Sequence, residues 1–228
     1  TIAKEQGLEP LANIILLQET DKNPKELARE YINEEKGVKT VKDALQGALD
    51  IIAEVVSDNA DYRKAIRDLT YRLGRISSTA KKPDVKTVYD NYYKYEEEMT
   101  KIAGHRVLAV NRGEAEKVLT VKVIAPVELI HDYLTRHVIT KNNPNTTPLL
   151  ELAITDSYDR LIAPSIETEI RNMLTEKAEE GAISVFGKNL EQLLMQPPIV
   201  GQVVLGWDPA FRTGCKLAVV DATGKVLD

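Results

Sequence analysis

Ile166–Pro198, IETEIRNMLTEKAEEGAISVFGKNLEQLLMQPP, is followed after a short link by Val203–Leu227, VVLGWDPAFRTGCKLAVVDATGKVL, and the change of period between the two decides the fold. In the first stretch Ile170, Met173, Leu174, Ala178, Ala182, Val185, Phe186, Leu190 and Leu194 recur at close to helical spacing. Roughly 30 residues of helix span about 45 Å. That exceeds most helices of a single compact domain and predicts a strut between domains. Gly181 and Gly187 each cost about 1 kcal/mol relative to alanine there, and predict a bend or a close contact. After Pro197-Pro198 the pattern turns to strand, turn and strand, VVLGWD, PAFRTGC and KLAVVD, closed by the turn ATG. Two strands alone are marginal in water and leave both edges unpaired, so they need further cover. The switch predicts a domain boundary near residue 200.

Upstream the chain reads as short helices. Leu8, Leu11, Ile14 and Ile15 mark a first helical face. Asn23-Pro24 predicts a cap and first-turn proline for a second helix, which presents Leu27, Ala28, Tyr31 and Ile32 and stops at Gly37. Thr40 and Asp43 form a capping-box-like start for a third, with Ala44, Leu45, Ala48, Leu49, Ile52 and Val56 on one face. Asp58-Asn59 divides it from a fourth, which carries Tyr62, Ala65, Ile66, Leu69 and Leu73 and ends at Gly74. Residues 76–104 read as a loop followed by a short helix or irregular segment. RVLAVNRGE is open between strand and helix, whereas Leu119, Val121 and Val123 alternate with polar residues and predict a strand over 118–124. Pro126 reopens helix with Leu129, Ile130, Tyr133, Leu134 and His137 on one side, and the polar run at 142–148 stops it. Thr147-Pro148 predicts the cap of the next helix, and Ala163-Pro164-Ser165 predicts its separation from the long one.

Composition bounds the function. The 228 residues carry 30 basic and 35 acidic side chains, a net charge of -5, so the chain offers no global attraction for a polyanion. Nucleic-acid binding must then come from a local patch. Cys215 is the only cysteine, which excludes an internal disulfide and suits a reducing compartment. No apolar run reaches the ~18 residues of a membrane helix, and TIAKEQGLEP lacks a signal-peptide layout. A soluble cytoplasmic protein is expected, processed or trimmed at its start because it begins at Thr1.

The strongest single candidate for chemistry is Asp208. Ribonuclease-H-like nucleases place a metal-binding carboxylate at the end of a first strand, but two-metal cleavage needs several carboxylates around the ions. Only one stands in that context here. A turn role for Asp208, accepting hydrogen bonds around Thr213 and Gly214, is the simpler reading, as is a turn role for Asp221. Gly206 and Gly214 lack the spacing and following helix of a P-loop. His105, His131 and His137 show no zinc spacing. No nucleophile elbow occurs either. No metal and no cofactor are expected. The basic run from Arg63 to Lys82 supplies the nucleic-acid candidates Lys64, Arg67, Arg72, Arg75, Lys81 and Lys82, with the third and fourth helices as a helix-turn-helix-like pair. Asp61, Asp68 and Asp84 interrupt it, which equally suits a solvated helix face. Tyr89, Tyr92, Tyr93 and Tyr95 read either as a stacking platform for bases or as packing.

Three long runs carry a family resemblance: HRVLAVNRGEAEKVLTVKV at 105–123, DSYDRLIAPSIETEIRNMLTEKAEEGAISVFGKNLEQLLMQPPIVG at 156–201, and VLGWDPAFRTGCKLAVVDATGKVL at 204–227. Together with ALQGALDIIAEVVSD at 44–58, they closely resemble the Tex family of bacterial transcription accessory proteins across essentially the whole chain. The resemblance implies a helical amino-terminal region of helix-turn-helix character over 1–200 with a long central helix. Over 201–228 it implies the first strands of a YqgF-type ribonuclease-H-like domain. Helix-hairpin-helix modules and an RNA-binding OB-fold domain are implied beyond. One departure stands out: the family pattern Asp-Pro-Gly is Asp208-Pro209-Ala210 here, and alanine resists the positive φ that glycine allows. The resemblance also implies an incomplete catalytic set. The expected fold is mainly α, a multi-helix scaffold with one long helix, a small β element and a terminal β-hairpin. The expected function is a non-enzymatic scaffold that binds nucleic acid and acts with RNA polymerase or other transcription components, away from membranes. A metal-dependent nuclease using Asp208 and a protein-interaction module docking on RNA polymerase are the rivals.

Overall fold

A computed structural model describes residues 2–197, 199–212 and 214–228. In chain order it contains α1 (Ile2–Glu5), α2 (Glu9–Leu17), α3 (Pro24–Arg29), α4 (Val41–Asp58), α5 (Ala60–Leu73), β1 (Arg75–Ala80), β2 (Lys94–Glu98), α6 (Gly104–Ala115), β3 (Leu119–Ile124) and α7 (Val127–Val138). There follow α8 (Thr147–Asp156), a π turn (Ser157–Ile162), α9 (Ala163–Leu194), β4 (Val204–Ala210) and β5 (Gly214–Val220). The protein is mainly α, with one long helix, a small sheet and a terminal hairpin. Its contacts divide it into units of residues 1–180 and 181–228.

In the first unit α4 is the hub. The Thr40 hydroxyl accepts from the Asp43 amide, and the Asp43 carboxylate accepts from the Thr40 amide, so the expected capping box is present. Ala44, Ala48, Ile51, Ile52 and Val56 are buried, and α1, α2, α3 and α8 with the π turn pack around the helix. The small Ala44 and Ala48 let neighbouring helices approach, while the isoleucines fill the space between them. Asn59 alone joins α4 to α5, its side-chain oxygen accepting from the Asp61 and Tyr62 amides.

The buried amide of Gln18 fastens α2 to the segment after α7. Its Nε2 donates to Val138 O at 2.8 Å and to Leu16 O at 3.3 Å, while Oε1 accepts from the Thr140 and Lys141 amides, each at 3.0 Å. Both its donors and both its acceptor sites are thereby used, which is what burial of an amide requires. Gln18 also takes a left-handed backbone with φ 56°, the geometry of a helix C-cap.

Several elements differ from the sequence reading. The second helix ends at Arg29, not Gly37, because Asn33 and Val38 pair through two backbone hydrogen bonds around Gly37, whose φ is +81°. Residues 76–104 do hold a loop that ends in a short 3-10 turn at Asp90–Tyr92, but it is flanked by β1 and β2, which with β3 form an antiparallel sheet ordered β2-β1-β3. Its register sets Ser78 opposite Tyr95 on one side and Val121 on the other. RVLAVNRGE resolves to helix α6. The cap of α8 is Thr146 rather than Thr147-Pro148, with no side-chain cap bond. On α7 the buried positions are Ile130, Leu134 and Val138, while Leu129 is exposed.

The largest difference is at Ala163-Pro164-Ser165, which separates nothing. α8, the π turn and α9 run on as one helical path, and the Ala163 N–H bonds to Tyr158 O, five residues back. α9 is 32 residues long, or about 48 Å. Ile166, Ile170, Leu174 and Ala178 are buried along it. Gly104 at the start of α6 lies where an added Cβ would sit 3.3 Å from the Ala178 side chain, so two helices meet closely there.

In the second unit the apolar positions Val185, Phe186, Leu190 and Leu194 of α9 are exposed, and a Cβ at Gly181 or Gly187 would meet nothing within 4 Å. Of the expected double-proline stop, Pro198 lies outside the described residues; the helix ends at Leu194. β4 and β5 pair antiparallel with Val204 opposite Val220 and Asp208 opposite Lys216. Ala210 ends β4 without positive φ, and Gly214 opposite it takes φ +81°, so alanine in place of the family glycine sits without strain.

Gly74 ends α5 with φ −84°, so its importance is spatial rather than conformational. A Cβ there would stand 2.4 Å from Thr70 O and 2.8 Å from Ile124 O, both backbone atoms that cannot move alone. Gly74→Ala is expected to destabilise the fold by about 1–3 kcal/mol, read as a lower urea midpoint at unchanged m; an unchanged midpoint would show that the α5–β1 junction is looser than its geometry.

Candidate nucleic-acid interface

The six candidate cations do not form one surface. Lys64 and Arg72 project from α5, exposed and outside any ion pair among the described residues. Arg67, on the same helix, bonds Glu169 of α9 at 3.1 Å. Arg75 begins β1 and pairs with Glu96 of β2 at 2.9 Å. Lys81 and Lys82 follow the other end of β1, roughly 20 Å from Arg75 at strand rise. Two of the six are thus neutralised, and the other four are split between α5 and the far end of the sheet. The α4–α5 connection of one residue is also shorter than the three- or four-residue turn of a DNA-reading helix pair.

Side chains that sequence spacing did not reveal account for this. Arg63 donates to Glu169 at 2.8 Å and also bonds Ser165, over a sequence distance of more than a hundred residues. Arg171 of α9 bonds Glu114 at 2.6 Å and Asn111 at 2.9 Å. Burial opposes ionisation of Glu169, but Arg63, Ser165 and Arg67 outweigh it and hold the carboxyl below its ordinary value. Burial likewise opposes ionisation of Glu114, and Arg171 with the Val121 amide outweighs it. These pairs tie α9 to α5 and α6.

The tyrosines are occupied as well. Tyr89 is buried, and Tyr92 meets Tyr95 edge to face at 5.2 Å. The Tyr93 hydroxyl bonds Val85 O and Thr87, and the Tyr95 hydroxyl donates to Glu97. Burial, then the hydrogen bond to Glu97, pushes the Tyr95 phenol up to about 12. The four rings pack; they do not present a stacking face. His137 and Tyr133 pack with Tyr62, and His131 packs on Tyr158. Among the described residues no group of three His, Cys, Asp or Glu side chains is placed to hold a metal ion. Asp208 is exposed on β4, and its expected bond to Thr213 lies outside the described residues. Asp221 accepts from Thr223 and from the Lys225 amide, the turn role read from sequence.

The "Tex central region-like" family model matches residues 19–186, most of the chain, and the "Tex protein YqgF-like domain" model matches 202–228. The chain belongs to the Tex family. It is 51% identical over its full length to Uncharacterized protein YdcI of Bacillus subtilis, 36% to Protein tex of Bordetella pertussis and 31% to Transcriptional accessory protein Tex of Neisseria gonorrhoeae. It spans 32%, 30% and 30% of those proteins. The YqgF-like match begins just before β4 and covers the hairpin. No helix among the described residues is long and apolar enough to cross a membrane.

The arginine–glutamate pairs make stability pH-dependent. Both carboxyls are held below the ordinary 4.5, so what they contribute is present above that value and is lost as pH falls through and below it. The Glu114→Gln, Glu169→Gln double variant is expected to melt below the parent near neutral pH, with the gap narrowing towards about pH 3. A gap independent of pH would show that these pairs are not the linkage.

Proposed function

We propose that this chain is the scaffold portion of a transcription accessory protein, one that binds nucleic acid and acts with RNA polymerase or other transcription components. The observation that carries the reading is similarity over the whole chain to proteins named Protein tex and Transcriptional accessory protein Tex. Its place is the cytoplasm, and it works by binding, without a cofactor.

The nuclease alternative is less well supported. Two-metal phosphodiester cleavage clamps both attacking and leaving oxygens through several convergent carboxylates. Asp208 instead stands opposite Lys216 in a two-stranded ladder. The helical unit favours a scaffold, because the buried Gln18 and Ser157 side chains hold separate elements together.

The test is an anisotropy titration of the 228-residue chain with labelled single-stranded RNA, single-stranded DNA and duplex DNA at about 50 and 200 mM salt. Binding that weakens steeply with salt is expected. Absence of binding to all three at the lower salt would overturn the reading for this chain.

A further inference from the structure

We propose that the end of the three-stranded sheet around Lys81, Lys82, Lys94 and Lys117 is the surface that contacts the sugar–phosphate backbone of nucleic acid. This deepens the reading of the chain as a nucleic-acid-binding scaffold and rests on it.

The topology assembles these residues from three separate places in the sequence. Lys94 begins β2 in register with Thr79, and the Ala80 amide donates to Tyr93 O at 3.2 Å. On the other side the Lys81 amide donates to Val118 O at 2.9 Å, beside Lys117. With β1 between β2 and β3, Lys94 lies across from Thr79, two residues before Lys81, and Lys117 lies one residue from the position across from Lys81, about 8 Å and about 6 Å from it in the backbone. All four lysines are exposed, and none forms an ion pair among the described residues.

The same sheet shows the contrast. At its opposite end Arg75 pairs with Glu96, and Lys101 pairs with Glu98. At the Lys81 end Glu114 bonds Arg171 and also feels the charge of Lys81, Glu116 faces the Tyr89 hydroxyl, and the exposed Asp84 and Asp90 stand among Lys81, Lys82, Lys86 and Lys94. Exposed Thr79, with Thr120 beside it in register, adds hydroxyls that suit phosphate oxygens. The aromatic rings are packed away, so this surface reads charge and not base identity.

Lys117 closes α6 much as Gln18 closes α2. It occupies a left-handed backbone, φ 61°, at the end of α6, where the Val118 amide reaches back to Gly113 O. Glycine takes that position in most such caps, and a lysine there is strained.

The experiment compares the 228-residue chain with a Lys81→Gln, Lys82→Gln, Lys117→Gln variant and with a Lys64→Gln, Arg72→Gln variant, against labelled single-stranded RNA and duplex DNA. The first should bind at least about tenfold more weakly at ~50 mM salt, and its slope of log affinity against log salt should be shallower by about 2 to 3. The second should stay within about twofold of the parent. Lys117→Gly separates charge from structure: it should weaken binding while leaving Tm unchanged or raised. If the parent binds in a salt-dependent way and the triple variant binds equally well, this surface is wrong while the broader reading stands. If the parent binds neither nucleic acid, both fall.

Discussion

The proline at position 164 would ordinarily break a helix, since it lacks an N–H and its ring crowds the carbonyl four residues earlier. The chain answers with a π turn, in which hydrogen bonds reach one residue further back and the Ala163 amide finds Tyr158 O. The first unit depends on that adjustment. It keeps α8 and α9 on one path and places Ser157 where its hydroxyl donates to Ala53 O of α4 at 2.7 Å. Beyond the turn, α9 offers a partner to each neighbour in succession: Ser165 and Glu169 to α5, Glu167 to β3, Arg171 and Thr175 to α6, and Ala178 to Gly104. A helix broken at Pro164 would present these groups out of phase.

What could be read from the sequence was whatever local spacing encodes. The Thr40–Asp43 capping box, the buried face of α4, the break at Asp58-Asn59 and the alternation of β3 all depend on residues within a few positions of one another. The family itself was legible because long runs keep their order. β1 was not legible, because one of its two inward positions is Ser78, which is buried only because its hydroxyl bonds Tyr92 O at 2.8 Å. A buried serine breaks the apolar alternation by which a strand is recognised. Pro164 misled for the opposite reason: its local signal is strong, and tertiary packing overrides it. Of the candidate site, the cations were visible but their partners were not, since Glu169 lies about a hundred residues from Arg67 and Arg63.

The net charge of the chain therefore says little about any one surface. Arg63, Arg67, Arg75, Arg106 and Arg171 are all matched to carboxylates. Such partly exposed pairs contribute modestly to stability. They do remove those charges from the field that an approaching polyanion meets. Arginine suits this internal role because its planar fork can engage two partners at once, as Arg171 does with Glu114 and Asn111.

The sheet shows why an acidic protein can still carry an unmatched basic surface. β3 is an edge strand, and its outward amides would invite pairing with another chain. Two glutamates prevent this: Glu114 accepts from the Val121 amide and Glu167 from the Val123 amide. Glu97 is committed to Tyr95 and Arg106, Glu96 to Arg75 and Glu98 to Lys101. Carboxylates near the sheet are thus consumed by backbone amides, a phenol and cations at one end. At the other end Lys81, Lys82, Lys94 and Lys117 face solvent outside any ion pair among the described residues.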